Sequence, residues 1–149
     1  MVVKEAPELV SRAGIFGNYV RDIIFPEHKY TILKDPKTPS LDIDPQYKMI
    51  CHEMDREFYL ETRFRHKSTI DTYKIQWCLE EEFNRYKELE NDAKVFLALG
   101  MGEDQSNPTQ IYIIPLPSIH FASFYETFLD KYAFYPGKPI FNGALWRIN

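Results

Sequence analysis

Residues 58–65 read Phe58-Tyr59-Leu60-Glu61-Thr62-Arg63-Phe64-Arg65. As a β-strand they divide into two faces, because successive side chains point to opposite sides of the backbone. Phe58, Leu60, Thr62 and Phe64 share one face, which is fit for burial. Tyr59, Glu61, Arg63 and Arg65 share the other. There a carboxylate stands two residues before a guanidinium, roughly 7 Å further along the same surface. The bland reading of that pair is a surface salt bridge on a half-exposed strand, worth little energy. The sharper one is an acid and a base displayed in a cleft.

Upstream, residues 47–51 form a second strand candidate, and Met54-Asp55-Arg56-Glu57 a turn, so an antiparallel hairpin is expected. Residues 30–33 make a short apolar strand, and residues 34–45, with three prolines, a loop. Leu9, Ala13, Phe16, Val20 and Ile23 recur at three- and four-residue steps, the pattern of an amphipathic helix ended by Pro26. Gly14 and Gly17 weaken its first half, so the firm part begins near Ile15.

Downstream, residues 71–90 give the clearest helical pattern, with Ile75, Leu79, Tyr86 and Leu89 as the inward stripe and Cys78 and Phe83 at its margins. Glu82 falls in the middle of that stripe, where a carboxylate is costly unless it is paired or reaches a cleft. Val95-Phe96-Leu97-Ala98-Leu99 is continuously apolar, as in a strand covered on both faces. Residues 100–109 read as a turn-rich loop. Its Gly100-Met101-Gly102 lacks the Lys-Ser/Thr of a phosphate loop and reads as a turn. Residues 111–114 are a buried strand stopped by Pro115. A last amphipathic helix is expected over Phe121, Phe124, Phe128, Leu129 and Tyr132, and the aromatic tail, residues 136–149, is expected to pack back on the domain. Helix, three strands, helix, two strands, helix: that order implies one α/β domain over residues 1–149, a mixed sheet with helices on both faces.

Composition narrows the function classes. Hydrophobic residues make up 44% and charged residues 27%, ordinary globular usage, while 15% aromatic points to a well-filled core. A formal net charge of -4 argues against attachment to nucleic acid by bulk charge and leaves room for a local basic patch. Cys51 and Cys78 are the only cysteines, which gives neither a zinc pair nor a disulfide framework. His28, His52, His66 and His120 have no ligand spacing. No stretch has the length of a membrane span or a signal-peptide core, so a cytoplasmic protein without membrane attachment is expected.

Three stretches together carry a resemblance. The first is Phe16-Gly17-Asn18-Tyr19-Val20 with Phe25 and Tyr30. The second is Pro39-Ser40-Leu41 leading, after a hairpin, into residues 58–65. The third is Ile75-Gln76-Trp77, then Glu82-Phe83-Asn84-Arg85-Tyr86-Lys87 and Val95-Phe96-Leu97-Ala98-Leu99-Gly100. In order and spacing, over residues 14–131, the chain resembles the restriction-endonuclease-like, or PD-(D/E)XK, nuclease superfamily, in particular a bacterial group of small uncharacterised domains. The resemblance implies a restriction-endonuclease-like mixed β-sheet flanked by helices. It implies a site of Pro-Asp-Leu, Glu-x-Lys and a helical Gln, in which the Asp and Glu hold Mg²⁺ or Mn²⁺ and the Lys positions the attacking water.

This chain departs from that pattern at three positions. Ser40 stands for the Asp, Arg63 for the Lys and Glu82 for the Gln; only Glu61 remains. Ser40 brings no charge to a metal, and Arg63, always protonated, can clamp a phosphate but cannot act as a base. In one reading Asp42 or Asp44 takes over the metal with Glu61, and the protein is an active metal-dependent endodeoxyribonuclease with Arg63 as phosphate clamp. In the other, preferred here, Glu61, Arg63 and Glu82 satisfy one another, and a catalytically degenerate protein binds DNA or another nucleic acid, or a protein partner, through the old cleft. Arg65, Lys67 and Arg85 are the candidates for nucleic-acid contact; a charge run at a strand end, as at Arg65 and Lys67, is usually just solvated, and Arg85 reads equally well as a helix flank with Glu-Lys pairing. A third reading, an interaction module with no nucleic-acid role, fits the negative net charge.

Overall fold

Residues 58–65 lie within an eleven-residue strand, Arg56–His66, and all eight are buried. The computed structural model describes residues 14–34, 45–66 and 74–148. Along the chain come helix α1 (Gly14–Tyr19) with a π-helical turn (Val20–Ile24), then strands β1 (Tyr30–Lys34), β2 (Tyr47–Cys51), β3 (Arg56–His66) and β4 (Lys74–Gln76). Helix α2 (Glu80–Leu89) leads into β5 (Lys94–Gly102) and β6 (Gln110–Pro115). After them come β7 (Ser123–Tyr125), a 3₁₀ helix (Glu126–Tyr132), β8 (Ala133–Phe134) and α3 (Asn142–Leu145).

Six strands form one mixed sheet in the order β1-β2-β3-β5-β6-β8, and β4 pairs with β7 in a separate two-stranded ribbon. The expected hairpin joins β2 to β3, with Tyr47 opposite Leu60 and Cys51 opposite Arg56. Its turn places Asp55 at φ 52°, the left-handed region that Asp tolerates better than most residues. Strands β3 and β5 run parallel, Phe58 beside Lys94 through His66 beside Gly102, across a crossover that contains α2.

Two apolar layers cover the sheet, one on each face. On one face Phe58, Leu60, Phe64, Phe96 and Ala98 meet Phe16, Val20 and Ile24 from the first helix. Leu145 of α3 lies in the same layer, and Trp146 stacks edge-on to Phe58 and Phe96, so the tail does pack back. On the other face Tyr59, Val95, Leu97, Leu99 and Met101 meet Phe83 and Tyr86 of α2, together with Trp77, Leu129 and Tyr132.

Several local expectations are corrected. The helix expected over residues 71–90 begins only at Glu80, and Ile75 belongs to β4. Ile75 and Trp77 are buried while Lys74 and Gln76 are exposed, a period of two rather than 3.6. Leu79, expected in the inward stripe, is the N-cap and lies exposed; Phe83 and Tyr86 are the buried residues of α2. Residues 71–73 lie outside the described residues. The last helix is replaced by β7 and a 3₁₀ helix, and Phe121 is exposed. In the first helix Ile24 rather than Ile23 faces inward, because the wider π turn keeps four-residue steps in phase.

Gly100-Met101-Gly102 continues β5 instead of turning. Glycine is needed at residue 100, since a Cβ there would collide with the Phe16 ring.

Candidate site on strand three and the first turn of helix two

Glu61 and Arg63 share one face of β3, and that face is buried under α2: Glu61 is 0% exposed and Arg63 3%. A surface salt bridge is therefore excluded. The register of the sheet explains it, since Leu97 and Leu99 flank the pair on β5 and carry the α2-facing layer across the strand.

Arg63 uses its guanidinium in three directions. Nη1 donates to Glu61 Oε2, Nη2 donates to Glu82 Oε2 at 3.0 Å, and Nε donates to the Trp77 carbonyl at 2.7 Å. Each carboxylate is held at its other oxygen as well. Glu61 Oε1 accepts the Gln46 backbone N–H at 2.8 Å, and Glu82 Oε1 accepts the Leu79 N–H at 2.8 Å. Glu82 sits three residues after its N-cap, so this bond is one half of a capping box; Leu79 has no side-chain oxygen to make the other half. The positive end of α2 adds to the stabilisation of the Glu82 charge.

Burial works against the Arg63 charge. The carboxylates of Glu61 and Glu82 outweigh it, and the guanidinium pKa stands above its ordinary value. Beside it, burial pushes the Cys78 thiol up, so that sulfur is a protonated, inert core group at neutral pH. A second polar link steadies the strand from the opposite face: the Thr62 hydroxyl donates to Gln46 Oε1. Gln46 thus holds two successive residues of β3, one by its backbone and one by its side chain.

The structure brings Glu61, Arg63 and Glu82 together. Arg65, the next residue on that face, is buried at 5% exposure. Arg85 is half-buried on α2 with Nη1 3.3 Å from Glu88. Asp42, Asp44 and Lys67, with Ser40, lie outside the described residues. Among the described residues no three His, Cys, Asp or Glu side chains converge to hold a metal ion. Each oxygen of Glu61 and of Glu82 already accepts a hydrogen bond, and the cation between the two carboxylates is Arg63.

The partners of this cluster that sequence reasoning missed are backbone groups, the N–H of Gln46 and Leu79 and the carbonyl of Trp77, which leave no side-chain signal. A second polar cluster was equally silent. Asp92, just after α2, accepts from the Tyr59 hydroxyl at 2.7 Å and from Lys48 Nζ at 3.2 Å. Lys48 also reaches Glu57 at 3.3 Å and lies over the Tyr59 ring. These contacts fasten the β2–β3 hairpin to the end of the crossover helix. The bond from Tyr59 is the largest influence on Asp92, followed by those from Lys48, and together they hold its carboxyl below the ordinary value.

Beyond the N-terminus of α2, the β4–β7 ribbon and the segment before β7 enclose a cavity of about 740 Å³. Trp77 connects it to the cluster: its backbone N–H donates to Ala122 O at 3.0 Å, its indole N–H to Phe121 O at 3.1 Å, and its carbonyl accepts from Arg63. The chain matches no protein-family model, and it matches no curated protein. No helix among the described residues is long and apolar enough to cross a membrane.

Proposed function

We propose that this chain is a restriction-endonuclease-like protein that has lost catalysis and works by binding, either to nucleic acid or to a protein partner. The observation that carries the reading is that every nitrogen and oxygen of the three charged groups is hydrogen-bonded within the protein. Arg63 is bonded at Nε, Nη1 and Nη2, and both carboxylates are bonded at both oxygens. A hydrolytic site needs the opposite: carboxylate oxygens free for a cation, and a base able to give up its proton. Here the cation is supplied by the protein itself, as a guanidinium that cannot deprotonate. The cluster holds the strand and the crossover helix together and leaves the surface around them free to recognise something.

Calorimetric titration with Mg²⁺ and Mn²⁺, run beside a plasmid-nicking assay, tests this reading. No saturable metal heat and no nicking are expected. Metal-dependent nicking that disappears in Glu61→Gln would establish an active endonuclease instead. Retention on heparin that falls steeply with salt favours nucleic acid as the partner, and salt-insensitive passage favours a protein.

A further inference from the structure

We propose that the cavity beside the β4–β7 ribbon binds a nucleotide, with the base stacked on the aromatic rim and the phosphate on Lys74. The proposal rests on the binding role argued above and names a ligand for it. The ribbon's register supplies the outer face. Lys74 pairs with Tyr125, Ile75 with Phe124 and Gln76 with Ser123. Residues opposite one another in an antiparallel pair project to the same side. Ile75 and Phe124 are buried, so the flanking pairs face outward: an ammonium beside a phenol ring, 5.9 Å from its centroid, and an amide beside a hydroxyl.

Two large rings stand at this rim, Phe121 at 69% exposure and Tyr125 at 60%. Ile119, Phe124 and Phe128 make the wall behind them. The volume, about 740 Å³, falls in the range of small-molecule sites. Gln76, Glu80, His120 and Ser123 bring polar side chains to it. Gln76 spends its Nε2 on the Cys78 carbonyl at 3.2 Å, which leaves Oε1 without a hydrogen bond among the described residues. The side chains of Glu80, His120 and Ser123 also line the cavity and make no hydrogen bond among the described residues.

The chemistry selects the ligand. Exposed aromatic faces call for a flat ring, and stacking is available to every base. The Glu80 carboxylate and Gln76 Oε1 accept N–H groups from a heteroaromatic edge, and Ser123 both donates and accepts. Lys74 supplies the positive charge for a phosphate. An aliphatic ligand would strand the polar groups in an apolar contact. The rim is also fixed in place, because Trp77 bonds to the carbonyls of Phe121 and Ala122 while it is itself held by Arg63. A pre-ordered rim loses little entropy when a base stacks on it.

The full chain, labelled with ¹⁵N, is titrated with adenosine 5′-monophosphate, uridine 5′-monophosphate, adenosine and a short oligothymidylate. The Trp77 indole N–H, bonded to the Phe121 carbonyl, is the reporter. Trp146, packed on Phe58 and Phe96 across the sheet, is the internal control. The Trp77 signal is expected to shift saturably and the Trp146 signal to stay. Phe121→Ala and Tyr125→Ala, both at exposed positions that spare the core, are each expected to weaken binding by about tenfold. Lys74→Gln is expected to weaken the monophosphate and leave adenosine unchanged. Binding of the monophosphates as tightly as the oligomer assigns the cavity to a free nucleotide, and binding of the oligomer alone assigns it to one unit of a single strand. No shift of Trp77 with any probe at millimolar concentration overturns the proposal, as does unchanged affinity in the two alanine variants. Metal-dependent nicking would overturn the silent-nuclease reading on a separate readout, without touching this result.

Discussion

Arg63 on β3 and Glu82 on the first turn of α2, nineteen residues apart in the chain, meet at 3.0 Å inside the protein. The contact joins the central strand to its own crossover helix, and Glu61 completes it from the strand side.

Removing the cation leaves Glu61 buried and uncompensated. Arg63→Ala is expected to destabilise the fold by about 3–5 kcal/mol, seen as a fall in Tm of roughly 6–20 °C by circular dichroism. Replacing the cluster as a set, with Glu61→Leu, Arg63→Met and Glu82→Gln, is expected to recover most of that loss, because no charge is then stranded. An additive, larger loss in the triple variant would show that the cluster is not a self-contained unit.

Glu82 serves twice, and the two roles separate by substitution. Glu82→Gln keeps an oxygen for the Leu79 N–H and loses only the ion pair. Glu82→Ala loses both, and is expected to cost about 1 kcal/mol more in urea unfolding. Equal midpoints for the two variants would show that the cap contributes nothing.

Asp92 and Glu90 answer to pH with opposite sign. The Asp92 carboxyl is held below its ordinary value of 3.8, so its contribution is full above that pH and is lost as pH falls through the lower folded value. Asp92→Asn is therefore expected to be less stable than the parent at pH 7 and to approach it by pH 3. Burial, the largest influence on Glu90, raises its carboxyl above the ordinary 4.5 despite the bond from Val95 N–H. Its stabilisation is present below that value and is lost as pH rises through the folded one. Glu90→Gln, which keeps an oxygen for Val95, is expected to match the parent near pH 3 and equal or exceed it at pH 7. Urea midpoints at the two pH values check both signs.

Gly100→Ala places a methyl group against the Phe16 ring and is expected to cost about 1–3 kcal/mol by overpacking. Adding Phe16→Leu, which withdraws the ring, is expected to return part of it. A double variant no more stable than Gly100→Ala alone would place the strain elsewhere.

The long strand was legible because residues 58–65 divide into two faces, one apolar and one carrying the charges. Glu82 was legible for a different reason: a carboxylate on an apolar stripe demands a partner, and Arg63 was the cation available. Strand β4 was misread because Ile75 and Leu79 fall by chance at helical spacing with Tyr86. Its true partner, Phe124 in β7, is far along the chain and gives no local signal. The start of α2 was equally hidden, since its N-cap is Leu79 rather than Ser, Thr, Asp or Asn. The aromatic run at residues 121–132 kept the spacing of an amphipathic helix while cross-strand pairing to β4 drew its first part into a strand.

The parallel pairing of β3 with β5 has a kinetic consequence. Strands β1, β2 and β3 are joined by near-neighbour hairpins, and β5 and β6 by another, so each half can form from contacts short in sequence. The seam between the halves cannot. Phe58 must find Lys94 across the whole crossover, and that closure costs entropy before any pairing rewards it. The middle of the sheet, the best buried part of the finished molecule, is thus expected to be the last to close during folding. Until it does, the apolar flanks of two strands stay open to any other chain that reaches them first.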